Sequence, residues 1–218
     1  MKRLPVVATI IVALAVAAMI GLGIWQLDRR AEKQALLARY RANLTQPAIA
    51  FPVLPPVPDS ALFRRSSLTC LEVTDWRVIG GRAADGTTGY RHIARCRTGA
   101  EGPGASIDMG VARDPRAQPR WNGGRVAGTI TLLPNGASMI ALASGRAPPA
   151  SAMLVADTPA LGLQRSARPS PEGVPNNHLA YAGQWFFFAA AALAIYLIAL
   201  RRRLWPQAPG RKGHPPAA

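Results

Sequence analysis

Residues 4–27 read LPVVATIIVALAVAAMIGLGIWQL, and no charged side chain interrupts this stretch. About 20 apolar residues in a helix cross the hydrocarbon core of a bilayer, so the stretch is long enough to span a membrane. A second uncharged run, LAYAGQWFFFAAAALAIYLIAL, occupies residues 179–200 and ends at three consecutive arginines. Backbone amides cannot remain unpaired in hydrocarbon, so both runs are predicted to be transmembrane helices.

A cleaved signal peptide is the competing interpretation of the N-terminus. Lys2 and Arg3 would form its positively charged region, and residues 15–17 (AVA) a small-residue cleavage site. The apolar run continues from Ala18 to Trp25, and cleavage after Ala17 would leave this apolar stretch at the start of a soluble protein. The sequence therefore favours a retained membrane anchor.

Two spans place both chain termini on one side of the membrane and the long central segment on the other. The arginines at 201–203 directly follow the second span, and basic residues next to a span are typical of its cytoplasmic end. The prediction is therefore that the termini are cytoplasmic and that the central segment lies outside the cytoplasm.

The composition of the chain excludes several classes of protein. It has 218 residues, of which 49% are hydrophobic, so it is not a disordered chain. Lys plus Arg number 26 against 11 Asp plus Glu, a net charge of +15, and nearly all of the basic residues are arginine. No zinc-finger spacing, aromatic RNA-binding motif or repeat accompanies this charge, so no nucleic-acid partner is predicted.

The predicted fold is an α+β membrane protein in which two transmembrane helices flank a small antiparallel β-rich domain, or open barrel, outside the cytoplasm. Short β-like runs between Gly-rich turns indicate that domain. They occupy residues 66–79, 90–97, 105–112, 125–133, 138–143 and 153–156. In chain order the predicted parts are a cytoplasmic N-terminus (1–3), the first span (4–27), a helical extension reaching about Asn43 (28–46), a Pro-rich linker (47–62), the β-rich domain (63–160), a Pro-rich return segment (161–178), the second span (179–200) and a basic cytoplasmic tail (201–218).

The residues that carry catalytic or metal chemistry are sparse. There are three histidines, and the sequence contains no zinc-hydrolase, serine-hydrolase or phosphate-loop motif, so the chain is not predicted to be an enzyme. Cys70 and Cys96 fall in predicted strands and form either one disulfide or two separate buried thiols. A copper site would need a third soft ligand, which the sequence does not supply nearby.

His178 is the sharpest candidate site residue. It stands at the entrance of the second span, after Asn177 as a predicted N-cap, and shares a helix face with Tyr181 and Trp185. An imidazole at this depth among aromatic rings is suited to ligate a heme iron. The alternative is an interfacial histidine that binds a lipid headgroup or caps a loop. His92, by contrast, is interpreted as a surface or sheet residue.

Two blocks together resemble a known family. Residues 23–33 (GIWQLDRRAEK) and 175–186 (PNNHLAYAGQWF) are similar to the G-x-W-Q-x-x-R-x-x-x-K and N-N-H-x-x-Y-A-x-x-W signatures of the surfeit locus protein family (Surf/Shy). Members of this family are assembly factors of heme-copper cytochrome c oxidase. The resemblance implies a bacterial inner-membrane protein with a periplasmic central domain, whose partners are the lipid bilayer and the catalytic subunit of the oxidase.

The resemblance also implies a cofactor and a site. Heme a would be bound, at least transiently, and delivered to the oxidase subunit, with His178 as the metal ligand. The other motif residues that would shape the site are Trp25, Gln26, Arg30, Asn177, Tyr181 and Trp185. Arg29 and Arg30 lie where heme propionates would reach water. The alternatives are a heme-free membrane scaffold that holds the nascent oxidase subunit and a membrane-tethered periplasmic enzyme.

The central domain departs from the family pattern. Relatives usually carry a strand ending in V-N-R-G-W-V-P, whereas residues 106–115 read SIDMGVARDP and lack its Asn, Arg and Trp. The departure is expected to affect how the domain contacts its partner.

Overall fold

The computed structural model of the chain describes residues 5–102, 104–134, 136, 140–141 and 144–205. The predicted cytoplasmic N-terminus (1–3) and most of the basic tail (201–218) lie outside these residues. So does most of the predicted strand at 138–143, of which Ile140 and Ala141 are described and are helical.

Two long helices stand at the two ends of the chain, α1 at Val6–Asn43 and α2 at His178–Leu204. Both are long and apolar enough to cross a membrane, and only 6% of each most apolar window is buried. A core helix of a soluble protein would bury such a surface, so the exposed apolar side chains indicate a membrane protein. The predicted arrangement of two apolar terminal helices around a β-rich domain is confirmed.

The chain forms two compact units. One contains the residues up to Gln34 together with those from Asn176 onward, and the other is Ala35–Pro175. The second unit begins with the last turns of α1, so the predicted helical extension is present and ends at Asn43. Asn43 Nδ2 donates to the carbonyls of Asp59 and Leu62, at 3.0 Å each. These bonds hold the end of α1 against the segment that leads into the sheet.

Tyr40, one turn earlier, anchors the same helix end. Its ring packs against Phe63 with 4.9 Å between centroids, and its hydroxyl donates to Asp59 Oδ1 at 3.0 Å. Burial, followed by the Asp59 hydrogen bond and charge, raises the pKa of Tyr40 to about 12. The phenol therefore stays protonated and keeps donating this bond throughout the physiological range.

The second unit is built around one seven-stranded sheet, with strand order β1-β2-β6-β7-β5-β4-β3. The strands are β1 (Ile49–Ala50), β2 (Arg65–Cys70), β3 (Glu72–Arg82), β4 (Thr88–Arg97), β5 (Ala105–Ala112), β6 (Gly124–Leu132) and β7 (Ala152–Ala156). The β1–β2 and β5–β7 pairs are parallel and the other pairs antiparallel, so the sheet is mixed rather than purely antiparallel.

The connection between β2 and β3 shows that the sheet curls into an open barrel. Leu71 alone separates the two strands, although they lie five strand positions apart in the sheet, or about 24 Å if it were flat. Two residues of chain reach only about 7 Å. The sheet must therefore bend back on itself, and the amide of Leu71 bridges the bend by donating to the Arg97 carbonyl at 2.8 Å.

This bend corrects the prediction that residues 66–79 form a single strand. The run is extended throughout, but Leu71 divides it into β2, which pairs with β6, and β3, which pairs with β4. Alternation of apolar and polar residues does not reveal such a corner, because both halves keep the same periodicity.

The interior of the barrel holds the main core and the two cysteines. Ile107, Ile130 and Leu154 are completely buried there. Cys70 of β2 and Cys96 of β4 form a disulfide with Cα atoms 5.3 Å apart. Of the two alternatives that the sequence left open, the structure has the bonded pair, and it links strands that are not neighbours in the sheet.

The segment predicted as a Pro-rich linker (47–62) is part of the domain. Ile49–Ala50 pairs with β2, and Ala61 and Leu62 are buried in the core. Its prolines exclude a helix, as expected, but they permit an extended chain that packs on the barrel.

The return segment after β7 also packs on the sheet. Val111 and Gln164 exchange backbone hydrogen bonds at 2.8 and 2.9 Å. Gly110 adopts a φ of 130°, and a Cβ at this position would lie 2.6 Å from the Gln164 carbonyl oxygen. A glycine is therefore required where the return segment crosses β5.

Candidate functional site

The corner formed by α1 and α2 brings together two residues that lie 152 positions apart in the sequence. His178 Nδ1, in the first turn of α2, is 2.7 Å from Gln26 Oε1 of α1. Within the same unit, Thr9 of α1 is hydrogen bonded to Tyr196 near the far end of α2. The earlier residue of α1, Thr9, contacts the later residue of α2, Tyr196, and the later residue Gln26 contacts the earlier residue His178. The two helices are therefore antiparallel.

Small residues allow the two helices to approach each other. Gly23 is buried, and a Cβ at this position would lie 2.5 Å from Cε1 of Phe186. On α2, Ala182 and Ala189 are the buried residues. Small side chains at a helix interface are the usual means by which membrane helices pack closely. Gln26 follows Gly23 by three residues and His178 precedes Ala182 by four, so both polar groups lie on the packed faces.

The contact with Gln26 determines which nitrogen of His178 is available. The amide oxygen of Gln26 can only accept, so Nδ1 of a neutral His178 carries the proton and donates it. Nε2 then has a free lone pair, and among the described residues none forms a hydrogen bond with it. A histidine that ligates a metal typically has this arrangement, with one nitrogen fixed by a hydrogen bond and the other open.

The predicted aromatic residues divide into two groups. Trp185 is half-buried on the His178 face of α2 and meets the ring of Phe188 edge-on, with 6.3 Å between centroids. Trp25 and Tyr181 are each 52% exposed. Trp185 therefore lies on the packed helix face, whereas Trp25 and Tyr181 present much of their surface outward.

The two candidate arginines on α1 differ in their partners. Arg29 forms an ion pair with Glu32, one turn away. Arg30 is half-buried four residues after Gln26 on the same stripe of α1, and it has no ion pair within the described part of the chain. Arg30 is thus the arginine whose charge is available for an anionic ligand.

The Asn-Asn pair before His178 differs from its predicted role. Asn177 occupies the N-cap position of α2, but its side chain forms no capping hydrogen bond, so the predicted cap is wrong in that respect. Asn176 is the residue that sequence reasoning missed. Its Oδ1 is buried and has no hydrogen-bond partner among the described residues. An unpaired buried acceptor costs free energy, and functional sites are one place where this cost is found.

Comparison with known proteins shows which family shares this corner. The model of the SURF1 family matches residues 13–190. This chain belongs to the SURF1 family. A SURF1-like protein of Monosiga brevicollis is 25% identical, in an alignment covering 84% of this chain and 83% of that protein. The SURF1 family is known as a cytochrome oxidase assembly factor rather than a catalytic family.

The SURF1 match includes both sides of the corner, since Gln26 and His178 lie inside the matched residues. It also includes β5, the strand of the central domain in which the sequence departs from the expected family pattern. The structure shows what occupies that strand in this chain.

Asp108 of β5 is the centre of a buried polar cluster that the sequence did not reveal. It is completely buried and accepts from Ser166 Oγ at 2.7 Å and from the Gly110 amide at 3.0 Å. Arg91 Nε lies 3.4 Å from its second oxygen. Burial raises the pKa of the Asp108 carboxyl, and the Ser166 hydrogen bond and the Arg91 charge oppose that rise. The cluster fastens the return segment to the sheet.

His92 of β4 is next to this cluster. It lies in the sheet, as one of its two predicted alternatives, but it is 1% exposed and its Nε2 has no hydrogen-bond partner among the described residues. Burial lowers the pKa of His92, against a hydrogen bond with the Asp114 backbone and the charge of Asp108. His92 therefore remains neutral inside the domain.

Proposed function

We propose that this SURF1-family chain binds heme a at the corner of α1 and α2 and assists its delivery to the catalytic subunit of a heme-copper cytochrome c oxidase. The single observation that carries the proposal is the 2.7 Å contact between His178 Nδ1 and Gln26 Oε1. It leaves Nε2 of a neutral imidazole as a preformed ligand for iron.

The residues around His178 fit such a group. Heme a presents an iron that takes an axial imidazole, an apolar ring, and two propionates. His178 would hold the iron, Trp185 would offer an aromatic surface on the same helix face, and the guanidinium of Arg30 would pair with a propionate. The role of this chain is to bind, orient and release the group, so no catalytic residue is proposed.

The proposed topology places the central domain in the periplasm, with the chain in the inner membrane of a bacterium. The Cys70–Cys96 disulfide supports this, because structural disulfides persist in oxidising compartments and rarely in the cytoplasm. The arginines at the end of α2 support a cytoplasmic C-terminus.

Topology is tested in intact spheroplasts. An impermeant maleimide should label a cysteine introduced on the exposed surface of the central domain as Arg116→Cys, whereas a cysteine introduced as Arg202→Cys should be labelled only after lysis. The reverse labelling pattern would contradict the proposed orientation.

Heme binding is tested by absorption spectroscopy of the full chain, purified in detergent from cells that make heme a. The wild type should carry heme, His178→Ala should lose most of it, and added imidazole should restore part of it to that variant. Gln184→Ala changes an exposed residue on the same helix and should behave as the wild type. A wild type that carries no chromophore but retains the oxidase subunit would instead identify a heme-free scaffold.

A further inference from the structure

Strand β3 leaves one edge of the barrel open. It is last in the strand order, and in the described part of the chain its only pairing partner is β4. Among the described residues, no backbone hydrogen bond reaches residues 74–81 from the other side. An edge strand of this length is unusual without protection, because unpaired amides and carbonyls invite another strand.

The outward amides of β3 can be identified. The amide of Trp76 donates to the side chain of Asp75 at 2.8 Å, so it does not take part in the β4 ladder. Residues of an antiparallel strand alternate between facing the neighbouring strand and facing away from it. Val78 and Gly80, which follow at steps of two, therefore also point their amides away from β4.

A cleft of about 860 Å³ lies beside this edge. One wall is formed by β3 from Thr74 to Val78, and the other includes Phe51, Val53 and Pro55, which follow the opposite edge strand β1. Cys96 and Ala152 also contribute to its lining. The cleft, called the seam below, extends from the edge of β3 across the neighbouring strands β4, β5 and β7.

The seam is positively charged. Arg77 and Arg95 line it, and neither has an ion-pair partner in the part of the chain that the structure describes. Arg97 is also at the seam, but Glu72 binds it at 2.9 Å. Among the described lining residues, Asp75 is the one carboxylate. Asp75 is the cross-strand neighbour of Arg95, so one carboxylate faces two guanidinium groups that form no ion pair among the described residues, and this excess of positive charge favours an acidic occupant.

We infer that the seam binds an extended, acidic segment of a partner polypeptide, which adds to β3 as an additional strand. The amides of Val78 and Gly80 would supply backbone hydrogen bonds, and Arg77 and Arg95 would pair with carboxylates. Successive residues of a strand face opposite sides, so the segment should alternate acidic residues, towards the arginines, with apolar residues, towards Trp76 and Val78.

A second copy of this chain is a poorer occupant. Pairing two β3 edges would bring the arginines of each seam towards those of the other, and like charges opposite each other destabilise a strand pair. The inference is independent of the heme site, because all of its residues lie in the second compact unit.

The probe is a fluorescein-labelled ten-residue peptide of alternating Glu and Val, titrated into the detergent-purified full chain and followed by anisotropy. Saturable binding is expected, with affinity at least about tenfold lower for the same peptide carrying Lys in place of Glu. Equal affinity for both peptides, or no binding of either, would overturn the inference.

Two variants test the two sources of affinity. Val78→Pro removes one outward amide without touching the ladder to β4, and it should weaken the acidic peptide about tenfold. The double variant Arg77→Glu/Arg95→Glu should weaken it at least as much and needs no change in the backbone. Its matched control is Arg120→Glu/Arg125→Glu, which reverses two exposed arginines outside the seam and should bind as the wild type. Equal loss in the control would show non-specific charge attraction and reject the seam.

Discussion

Gln26 Oε1 accepts a hydrogen bond from His178 Nδ1 at 2.7 Å, across the corner between the two apolar helices. The bond fixes the ring of His178 and its tautomer, so the open nitrogen is Nε2. In the proposed heme a site, His178 would be the iron ligand and Gln26 the residue that positions it.

Replacing Gln26 by leucine should weaken heme a binding. The imidazole would lose its fixed orientation and tautomer, and loss of such a supporting hydrogen bond typically costs about 10–100-fold in affinity. The measurement is a titration of heme a into the apoprotein in detergent. Gln184→Leu makes the same chemical change on an exposed face of α2 and should have little effect. If both variants bind like the wild type, Gln26 does not position His178.

Replacing Gly23 by leucine should force α1 and α2 apart. Even a single Cβ at this position would lie 2.5 Å from the Phe186 ring, whereas a Cβ at Gly21 meets nothing within 4 Å. Spin labels at Leu27→Cys and Leu179→Cys, read by pulsed electron resonance, should report a longer or broader distance for Gly23→Leu and no change for Gly21→Leu. Adding Phe186→Ala to Gly23→Leu should restore the distance. A distribution unaffected by Gly23→Leu would show that the helices do not pack here.

Removing the disulfide should destabilise the barrel. Cys70 and Cys96 are 26 residues apart, and cross-linking a loop of that size stabilises a fold by about 3.5 kcal/mol in the chain-entropy model. Urea unfolding of Cys70→Ser/Cys96→Ser, followed by tryptophan fluorescence, should therefore show a loss of about this size. Reductant should have the same effect on the wild type and none on the double variant. A wild type insensitive to reductant would argue against a stabilising disulfide.

The buried His92 should make the domain sensitive to acid. Burial lowers its pKa below the ordinary value of 6.5, so as the pH falls below that value the unfolded chain gains a proton that the folded chain excludes. Stability is then lost by up to about 1.4 kcal/mol per pH unit until the folded pKa is reached. His92→Gln should remove this loss in the pH dependence of urea unfolding.

Asp108 provides the control of opposite sign. Because its pKa is raised, the Asp108 carboxyl of the folded chain takes up a proton at a higher pH than that of the unfolded chain. The contribution of Asp108 to the free energy of unfolding therefore increases as the pH falls and is lost as the pH rises through the folded-state pKa. Asp108→Asn should therefore steepen the acid sensitivity that His92→Gln flattens. The other groups of the cluster, Arg91 and Ser166, are unchanged in both variants. Parallel curves for the wild type and His92→Gln would exclude His92 as the source.

The sequence predicts individual elements best where composition decides them. The run 105–112 is β5 residue for residue, and the helical extension ends at Asn43 as expected. The prediction from sequence fails where the chain turns a corner or folds back onto the sheet. Leu71 divides one predicted strand in two, and residues 61 and 62 of the predicted linker are buried in the core. In each case the outcome depends on contacts with distant residues, which local periodicity does not encode.

The candidate site shows the same division. The N-N-H motif marked His178 and its neighbours, but no pattern indicated that Asn176 Oδ1 would be buried without a partner. Nor did spacing indicate that His92, Asp108 and Ser166 would meet, because they come from two strands and the return segment.

By itself, the sequence determined the two apolar helices, the β-rich character of the segment between them and the motif that identifies the family. These follow from local composition, because the hydrophobic effect and backbone hydrogen bonding act on each stretch of chain separately. Only the tertiary structure decided that the barrel stays open beside β3, that Cys70 meets Cys96 and that Gln26 meets His178. Such pairings depend on how distant segments pack, and a side chain's partner is set by the fold that carries both residues rather than by its neighbours in sequence.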